Sequence, residues 1–193
     1  ILCIAKLRLR VKRDLSTRSS GVYGIFNVPN MPFSKPQEVV THFRLQPGLT
    51  VADFGTGSGA YALALARAVG PAGRVYAIDI QKELLARLAR EAKANDLEAK
   101  LPGGSLASRI EVIRGDLEQV HGSTLADSSV DFVLIANLLF QTSAKYTLVC
   151  EARRILREGG KVALVDWSGS FGGIGPKPDQ VLLPAEAKKI FAE

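Results

Sequence analysis

The chain has 193 residues, of which 47% are apolar and 23% charged, which suits one globular domain with a core of its own. The net charge is +6, but Lys6, Arg8, Arg10, Lys12, Arg13 and Arg18 face only Asp14 within residues 1–20, so the rest is nearly neutral and offers no broad basic face for nucleic acid. No stretch reaches the ~20 apolar residues of a bilayer span, and Cys3 and Cys150 lack metal-site or redox spacing, which predicts two free thiols in a reducing, cytoplasmic setting.

The alternation Leu7-Arg8-Leu9-Arg10-Val11-Lys12 suits an edge strand or a tail lying on a surface. Terminal charge runs are commonly solvated extensions, and that reading is preferred to a grip on phosphates or an anionic membrane. The basic residues follow the apolar start instead of preceding it, unlike a signal peptide. The first residue is Ile1, which points to a fragment or a processed form. Residues 21–36 are rich in Gly, Pro, Asn and Ser and read as a loop, with Tyr23, Phe26, Met31 and Phe33 as apolar anchors. Such a loop folds over a pocket or packs outside the domain. Residues 1–35 are therefore assigned to a basic extension and loop, and residues 36–193 to the domain.

Pro36 to Leu45 predicts a short helix with Val39, Val40 and Phe43 inward. Next comes the apolar run Val51-Ala52-Asp53-Phe54, the turn Gly55-Thr56-Gly57-Ser58-Gly59 and a helix over Ala60–Val69. Glycine is needed where backbone takes positive φ or approaches a ligand closely. A helix starting there aims its free N–H groups and positive dipole end into the turn. Arg74–Asp79 predicts a second strand, Lys82–Ala94 a helix, residues 95–109 a connection with Pro102-Gly103-Gly104, and Ile110–Arg114 a third strand ahead of Gly115-Asp116. Residues 117–130 are polar and irregular, with His121 expected in solvent. Asp131–Ala136 is nearly all apolar, as in a strand covered on both faces. Ala144–Arg157 predicts a helix closed by a glycine cap at Glu158-Gly159-Gly160, and Lys161–Trp167 a fifth strand. A Gly/Pro/Ser loop over 168–178 and a last helix from Pro184 to Ala192 follow.

Strands alternating with helices predict an α/β, doubly wound, mainly parallel Rossmann-like sheet with helices on both faces. Ligands of such sheets sit beyond the carboxyl ends of the strands. Gly55-x-Gly57-x-x-Ala60 also fits a loose dinucleotide fingerprint, and Asp79 would hold ribose hydroxyls in either case. Asp53, two residues before the first glycine, repels a pyrophosphate but suits an amine-bearing ligand. The third glycine is Gly59, and Asp116 could accept a hydrogen bond from an adenine amino group.

Asp53-x-Gly55-x-Gly57-x-Gly59, the strand-end Asp79, Gly115-Asp116 and the Asp131–Gln141 strand resemble the ordered motifs of class I S-adenosylmethionine-dependent methyltransferases. Glu151–Val162 is similar to that family's helix, Gly-Gly turn and fifth strand, and the resemblance covers about residues 36–167. The nearest flavour is the small-molecule branch with the ubiquinone and menaquinone biosynthesis methyltransferases. The resemblance implies S-adenosyl-L-methionine as cofactor and a small-molecule methyl acceptor. It implies that Gly55, Thr56, Gly57 and Gly59 approach the methionine and ribose portion and that Asp53 helps to hold the amino group. It implies that Asp79 and Ile80 bind the adenosine ribose side, Asp116 and Leu117 the adenine, and that Asn137 and Leu138 border the methionine end and the acceptor. Each has a plainer role open to it: Asp79 as a helix cap, Asp116 and Asn137 as turn residues. Asp166 and Trp167 either border the acceptor pocket or end a strand.

No Ser/His/Asp or His/Glu constellation is readable, so no catalytic residue and no metal is assigned. In the family the sheet continues with a helix and two more strands, the last antiparallel. This chain ends at Phe191-Ala192-Glu193, which predicts that the closing hairpin is lacking and leaves the fifth strand an exposed edge unless something covers it. A partner, a second copy or the Leu7–Lys12 stretch could cover it. Competing readings are a non-catalytic methyltransferase-like subunit, an RNA methyltransferase using the basic tail, and an NAD-dependent dehydrogenase.

Overall fold

Apolar runs that face helices on both sides pair in parallel, and helices cross between them. A computed structural model describes residues 2–8, 24–27, 35–95, 98–100, 106–167, 169–170 and 175–192, of which 2–8, 24–27, 98–100 and 106–108 are described as backbone only. In chain order the elements are β1 (Leu2–Arg8), β2 (Gly24–Asn27), α1 (Pro36–Thr41), β3 (Thr50–Phe54), α2 (Ala60–Val69), β4 (Arg74–Asp79), α3 (Lys82–Ala94), β5 (Glu98–Lys100), β6 (Leu106–Ser108), β7 (Ile110–Arg114), β8 (Val130–Ala136), α4 (Lys145–Ile155), β9 (Leu156–Trp167), a short 3-10 turn at Pro178–Gln180 and α5 (Pro184–Ala192). The expected loop anchors Tyr23, Met31 and Phe33, the Pro102-Gly103-Gly104 connection and residues 168 and 171–174 lie outside the described residues.

The main sheet has the order β2-β1-β9-β8-β3-β4-β7. The five strands from β9 to β7 are parallel. Alternate residues along each strand enter opposite cores. Val51, Val75, Ala77, Leu134 and Val165 meet Val39, Leu65 and Leu88 of α1, α2 and α3. Ala52, Ile78, Val133, Ile135 and Leu164 meet Leu148, Ala152 and Phe191 of α4 and α5. Phe43 and Phe132 add a tilted ring pair at 5.4 Å. This two-sided burial is why strands β3 and β8 are apolar nearly throughout, whereas β7, at the edge of the sheet, buries only Ile110 and carries Glu111 and Arg114. No helix among the described residues is long and apolar enough to cross a membrane.

The N-terminal segment, one of the expected covers, closes the edge of the fifth strand: β1 lies antiparallel on β9, with Leu2 opposite Trp167 and Arg8 opposite Lys161. The covering strand takes in Leu7 and Arg8 of the expected Leu7–Lys12 stretch and reaches back to Leu2, while residues 9–12 lie outside the described residues. β2 pairs antiparallel with the far side of β1. The helix expected over Ala144–Arg157 stops at Ile155. Leu156 turns to extended backbone and pairs with Val130, and the register shifts before Phe132 meets Lys161. The Gly159-Gly160 pair therefore serves a bulge in β9 and not a helix cap, with Gly159 at φ 77°. The first helix ends at Thr41, short of Leu45, because Arg44 takes a positive φ of 50°. The 95–109 connection holds the small hairpin β5–β6.

The irregular segment before β8 is fastened to α4 by one buried acid. Glu151 accepts hydrogen bonds from the Ser123 N–H at 3.0 Å and from the Ser123 hydroxyl. The Arg154 guanidinium donates to both Glu151 oxygens at 2.8 Å, to the Leu125 carbonyl at 2.7 Å and to Asp127. Burial pushes the Glu151 carboxyl up, but the bonds from Arg154 and Ser123 hold it below its ordinary value. Removing one partner of such a pair strands a buried charge. Arg154→Leu is expected to cost about 3 kcal/mol of stability in urea denaturation, and adding Glu151→Gln, which removes the stranded charge, is expected to recover part of it.

Candidate active site

Because β3, β4, β7, β8 and β9 are parallel, their carboxyl ends open on one edge of the sheet. The loop after β3 is built from three glycines at positive φ: Gly55 at 68°, Gly57 at 53° and Gly59 at 83°. Their surroundings differ. A Cβ on Gly59 would meet Leu88 Cδ1 at 2.3 Å, so this glycine lets α2 begin against α3. A Cβ on Gly55 would meet the Leu138 side chain at 3.0 Å. A Cβ on Gly57 would have only the Gly55 carbonyl near it, at 3.9 Å. Among the described residues, the outer face of Gly57 is thus open.

Hydrogen bonds hold the loop to the neighbouring strand. The N–H groups of Gly55 and Thr56 both donate to the Ile78 carbonyl, at 2.9 and 3.0 Å. The Gly57 N–H donates to Asp79 Oδ2 at 2.8 Å, and the Gln81 N–H donates to Asp79 Oδ1 at 2.9 Å. Asp79 is not the N-cap of α3, which is Gln81, but it holds that residue's N–H while also gripping the glycine loop. Beneath the loop lies Asp53, only 1% exposed, whose Oδ2 accepts the Thr56 hydroxyl at 2.7 Å. Burial pushes the Asp53 carboxyl up from 3.8 to about 7; the Thr56 bond opposes this, the Asp79 charge adds to it, and the Ala62 N–H opposes it. Burial, with the Asp53 charge second, also raises the neighbouring Tyr61 hydroxyl.

The third strand end is joined through the Gly115 N–H, which donates to the Asp79 carbonyl at 3.1 Å. A Cβ on Gly115 would meet the Gly122 carbonyl at 2.2 Å, and one on Gly122 the Asp116 carbonyl at 1.8 Å. These two glycines let the loop double back over Asp116 and the buried Leu117. Asp116 Oδ1 accepts the Glu118 N–H at 3.1 Å, so it does cap its own loop. Ile80, beside Asp79, leaves an apolar side chain 54% exposed at the rim.

On the other side of β3, Asn137 takes a φ of 51° and donates its N–H to the Val165 carbonyl at 2.7 Å. That turn seats Leu138 over Gly55. The buried Asn137 Oδ1 has no hydrogen-bond partner among the described residues. Asp166, 2% exposed, accepts the Trp167 N–H on Oδ1 at 2.8 Å and faces the Phe140 and Leu139 amides, although its buried Oδ2 has no well-formed hydrogen bond among the described residues. The candidates Asp53, Gly55, Thr56, Gly57 and Asp79 are therefore joined directly; Asp116 and Leu117 join through Gly115, and Asn137 through Leu138. The sequence left Asp166 undecided and missed the Gly115–Gly122 contact and the place of Tyr61 beside Asp53. One signal was available for Asp166: it stands next to last in its strand before an aromatic residue, as Asp53 does before Phe54.

With this geometry in view, comparison with known proteins is decisive. Residues 52–164 match the family model described as a methyltransferase domain. The chain belongs to that family. A solved S-adenosylmethionine-dependent methyltransferase from Aquifex aeolicus is 29% identical, with a TM-score of 0.67 over 81% of this chain and 77% of that one. A Mycobacterium bovis protein named for O-methyltransferase activity is 34% identical over 153 residues, 78% of this chain and 62% of its own. An arsenite methyltransferase of Halobacterium salinarum is 27% identical over 143 residues, 74% of this chain and 32% of its own. The methyltransferase chain thus spans from 32% to 62% of the length of these two curated relatives. The fold and family are those of S-adenosylmethionine-dependent methyltransferases.

A carboxyl whose folded value is raised keeps its proton where the unfolded chain has lost it. Folding then weakens as pH climbs through the window between the two values. For Asp53 that window runs from 3.8 to about 7. Urea denaturation of the unliganded methyltransferase domain is expected to show stability falling across it and levelling above, with Asp53→Asn removing the larger part of the slope.

Proposed function

We propose that this methyltransferase domain transfers the methyl group of S-adenosylmethionine to a small-molecule acceptor. The observation that carries the proposal is the double grip of Asp79 on Gly57 and Gln81 beside the buried acid Asp53. When bound, the cofactor supplies a methyl group on a sulfonium, already activated for in-line displacement. The open face of Gly57 gives backbone contact to its methionine and ribose portion. Asp53 supplies a negative charge to the amino group, and Asp79 keeps acceptor capacity for ribose hydroxyls. Ile80 offers an apolar surface to the adenine, with Asp116 and Leu117 on its far side. Asn137 and Leu138 stand between that site and the acceptor.

The work left to the protein is chiefly alignment, which can contribute about 7–11 kcal/mol. A general base is needed only where the acceptor must lose a proton. A dinucleotide is a poorer fit, since Asp53 sits below the glycine turn where a pyrophosphate would bring more negative charge. The O-methyltransferase and arsenite methyltransferase names of the relatives support a small acceptor without choosing one. The free thiol of Cys150 supports a reducing, cytoplasmic location.

Calorimetric titration with S-adenosylhomocysteine is expected to give saturable binding, with NADH silent. Asp79→Ala is expected to weaken it about 10- to 100-fold, as for the loss of a hydrogen bond to a charged group. Binding of NADH alone would overturn the reading.

A further inference from the structure

Away from the glycine loop, a cavity of about 230 Å³ lies between the outer face of α4 and the loop after β7. Helix α4 lends it Tyr146, Thr147 and Cys150, neighbours on one helical stripe, and the loop lends Val120 and His121. Val120 is 79% exposed and Tyr146 54%, so the cavity opens to solvent past two large apolar side chains. Its charged lining is already answered: Glu151 and Arg154 hold each other, and Arg154 also serves Asp127 and the Leu125 carbonyl. An ion finds no free counter-charge there, so a neutral molecule fits better. A cavity of about 150 Å³ suffices for benzene, so this one takes a single ring with a short substituent. The other exposed large apolar side chains among the described residues, Ile80 and Leu183, stand elsewhere, on the crevice rim and ahead of α5. That leaves too little apolar surface here for a protein partner, which needs about 800 Å² on each side.

The loop that walls the cavity is the one that carries Asp116 and Leu117. The Gln119 N–H donates to the Asp116 carbonyl at 3.0 Å, and the Gly122 N–H to the Gln119 carbonyl at 3.1 Å. Gly122 lies so close to the Asp116 carbonyl that no Cβ would fit. Val120 and His121 therefore cannot shift without disturbing Asp116. The tip is also strained, with His121 and the β-branched Thr124 both at a φ of 59°. Strain of this kind persists only where contacts hold it, and the hold seen here is the grip of Glu151 on Ser123. A ring lodged between Val120–His121 and α4 adds a second hold.

We propose that this cavity is an effector site for a neutral, single-ring molecule, whose binding stabilises the loop bearing Asp116 and Leu117 and so tightens the hold on the cofactor. The site itself rests on α4 and the loop, and its effect on the cofactor rests on the methyltransferase reading. Both ligands favour one loop conformation, so each strengthens the other by the same factor.

Cys150 serves as a handle for the test, because its thiol is free and lines the cavity. Its thiolate displaces 2-mercaptoethanol from the mixed disulfide with 2-phenylethanethiol, which leaves a neutral ring on the cavity wall. Bis(2-hydroxyethyl) disulfide leaves a chain without a ring, and cystamine leaves one with a cation. In competition under excess 2-mercaptoethanol, read by peptide mass spectrometry, Cys150 is expected to retain the ring about tenfold or more over either control, the order expected from burying one ring. Val120→Asp, at a side chain that lies in solvent, is expected to reduce that preference below about threefold. Calorimetry is expected to show S-adenosylhomocysteine binding the ring-bearing protein about fivefold more tightly than the hydroxyethyl-bearing protein, the low end of usual couplings. Equal capture of the three groups would overturn the site. Preferential capture with unchanged S-adenosylhomocysteine affinity would overturn its role as an effector site. Failure of the unlabelled protein to bind S-adenosylhomocysteine would instead sink the methyltransferase reading, and the capture experiment would still decide the site.

Discussion

Three loops of the carboxyl edge meet at Asp79. Its side chain takes the Gly57 N–H from the loop after β3 and the Gln81 N–H ahead of α3, while its carbonyl takes the Gly115 N–H from the loop after β7. No other residue could tie these loops unless the three strands ran in parallel and in this register. In a parallel sheet every strand delivers its outgoing loop to the same edge. Asp79 converts that common edge into a fixed shape, since hydrogen bonds to an ionised carboxylate contribute more than neutral ones. Moving Asp79 by one residue would turn its side chain to the other face of the strand. The crevice thus depends on one carboxylate standing at the last position of β4.

Asp53 and Asp166 show a different economy. Each stands next to last in its strand and is nearly fully buried, and each is raised by desolvation. Isolated buried acids weaken a fold at neutral pH, so packing alone gives no reason for them. They stand at the same edge two strands apart, Asp53 on β3 beneath the loop into α2 and Asp166 on β9 beyond β8. Perturbed acids gather where a ligand or a reaction uses them, although structural networks perturb acids too. Glu151 is the contrasting case in this chain. It is equally buried, yet Arg154 and Ser123 satisfy it and lower it, as a structural acid requires.

Much of this architecture was legible from residue order. Strands β3, β4 and β8 and helices α2 and α3 follow from runs that are apolar on both faces or at helical spacing, bounded by glycine or a charge, and β7 from the short run Ile110–Arg114 ahead of Gly115. The glycine spacing pointed to the cofactor edge because positive φ is a local demand, readable residue by residue. What escaped was decided by distant partners. Leu156 continues the helical pattern of Leu148, Ala152 and Ile155, and only its pairing with Val130 turns it into strand. The alternation at Leu7–Lys12 pointed to an edge strand, but the ladder on β9 starts earlier, at Leu2, because backbone pairing extends it where the pattern gives no signal. Asp166 reads the same whether it ends a strand or borders a pocket, and nothing local in the sequence shows how deeply the sheet buries it.

The three glycines that first drew attention to the edge are not equivalent. Gly59 is required by packing, because any side chain there would enter Leu88 of the next helix. Gly55 is required by a contact of intermediate kind, since Leu138 reaches it from the turn that also orients Asn137. Gly57 touches almost nothing on its outer face, and its own N–H is already given to Asp79. A positive φ explains why glycine is favoured at Gly57, but not why the space above it is left empty. That space, walled by Asp79 and the exposed Ile80 and underlain by Asp53, is where the fold withholds its own side chains. In a sheet otherwise packed on both faces, the place that packing avoids is the place to expect a ligand.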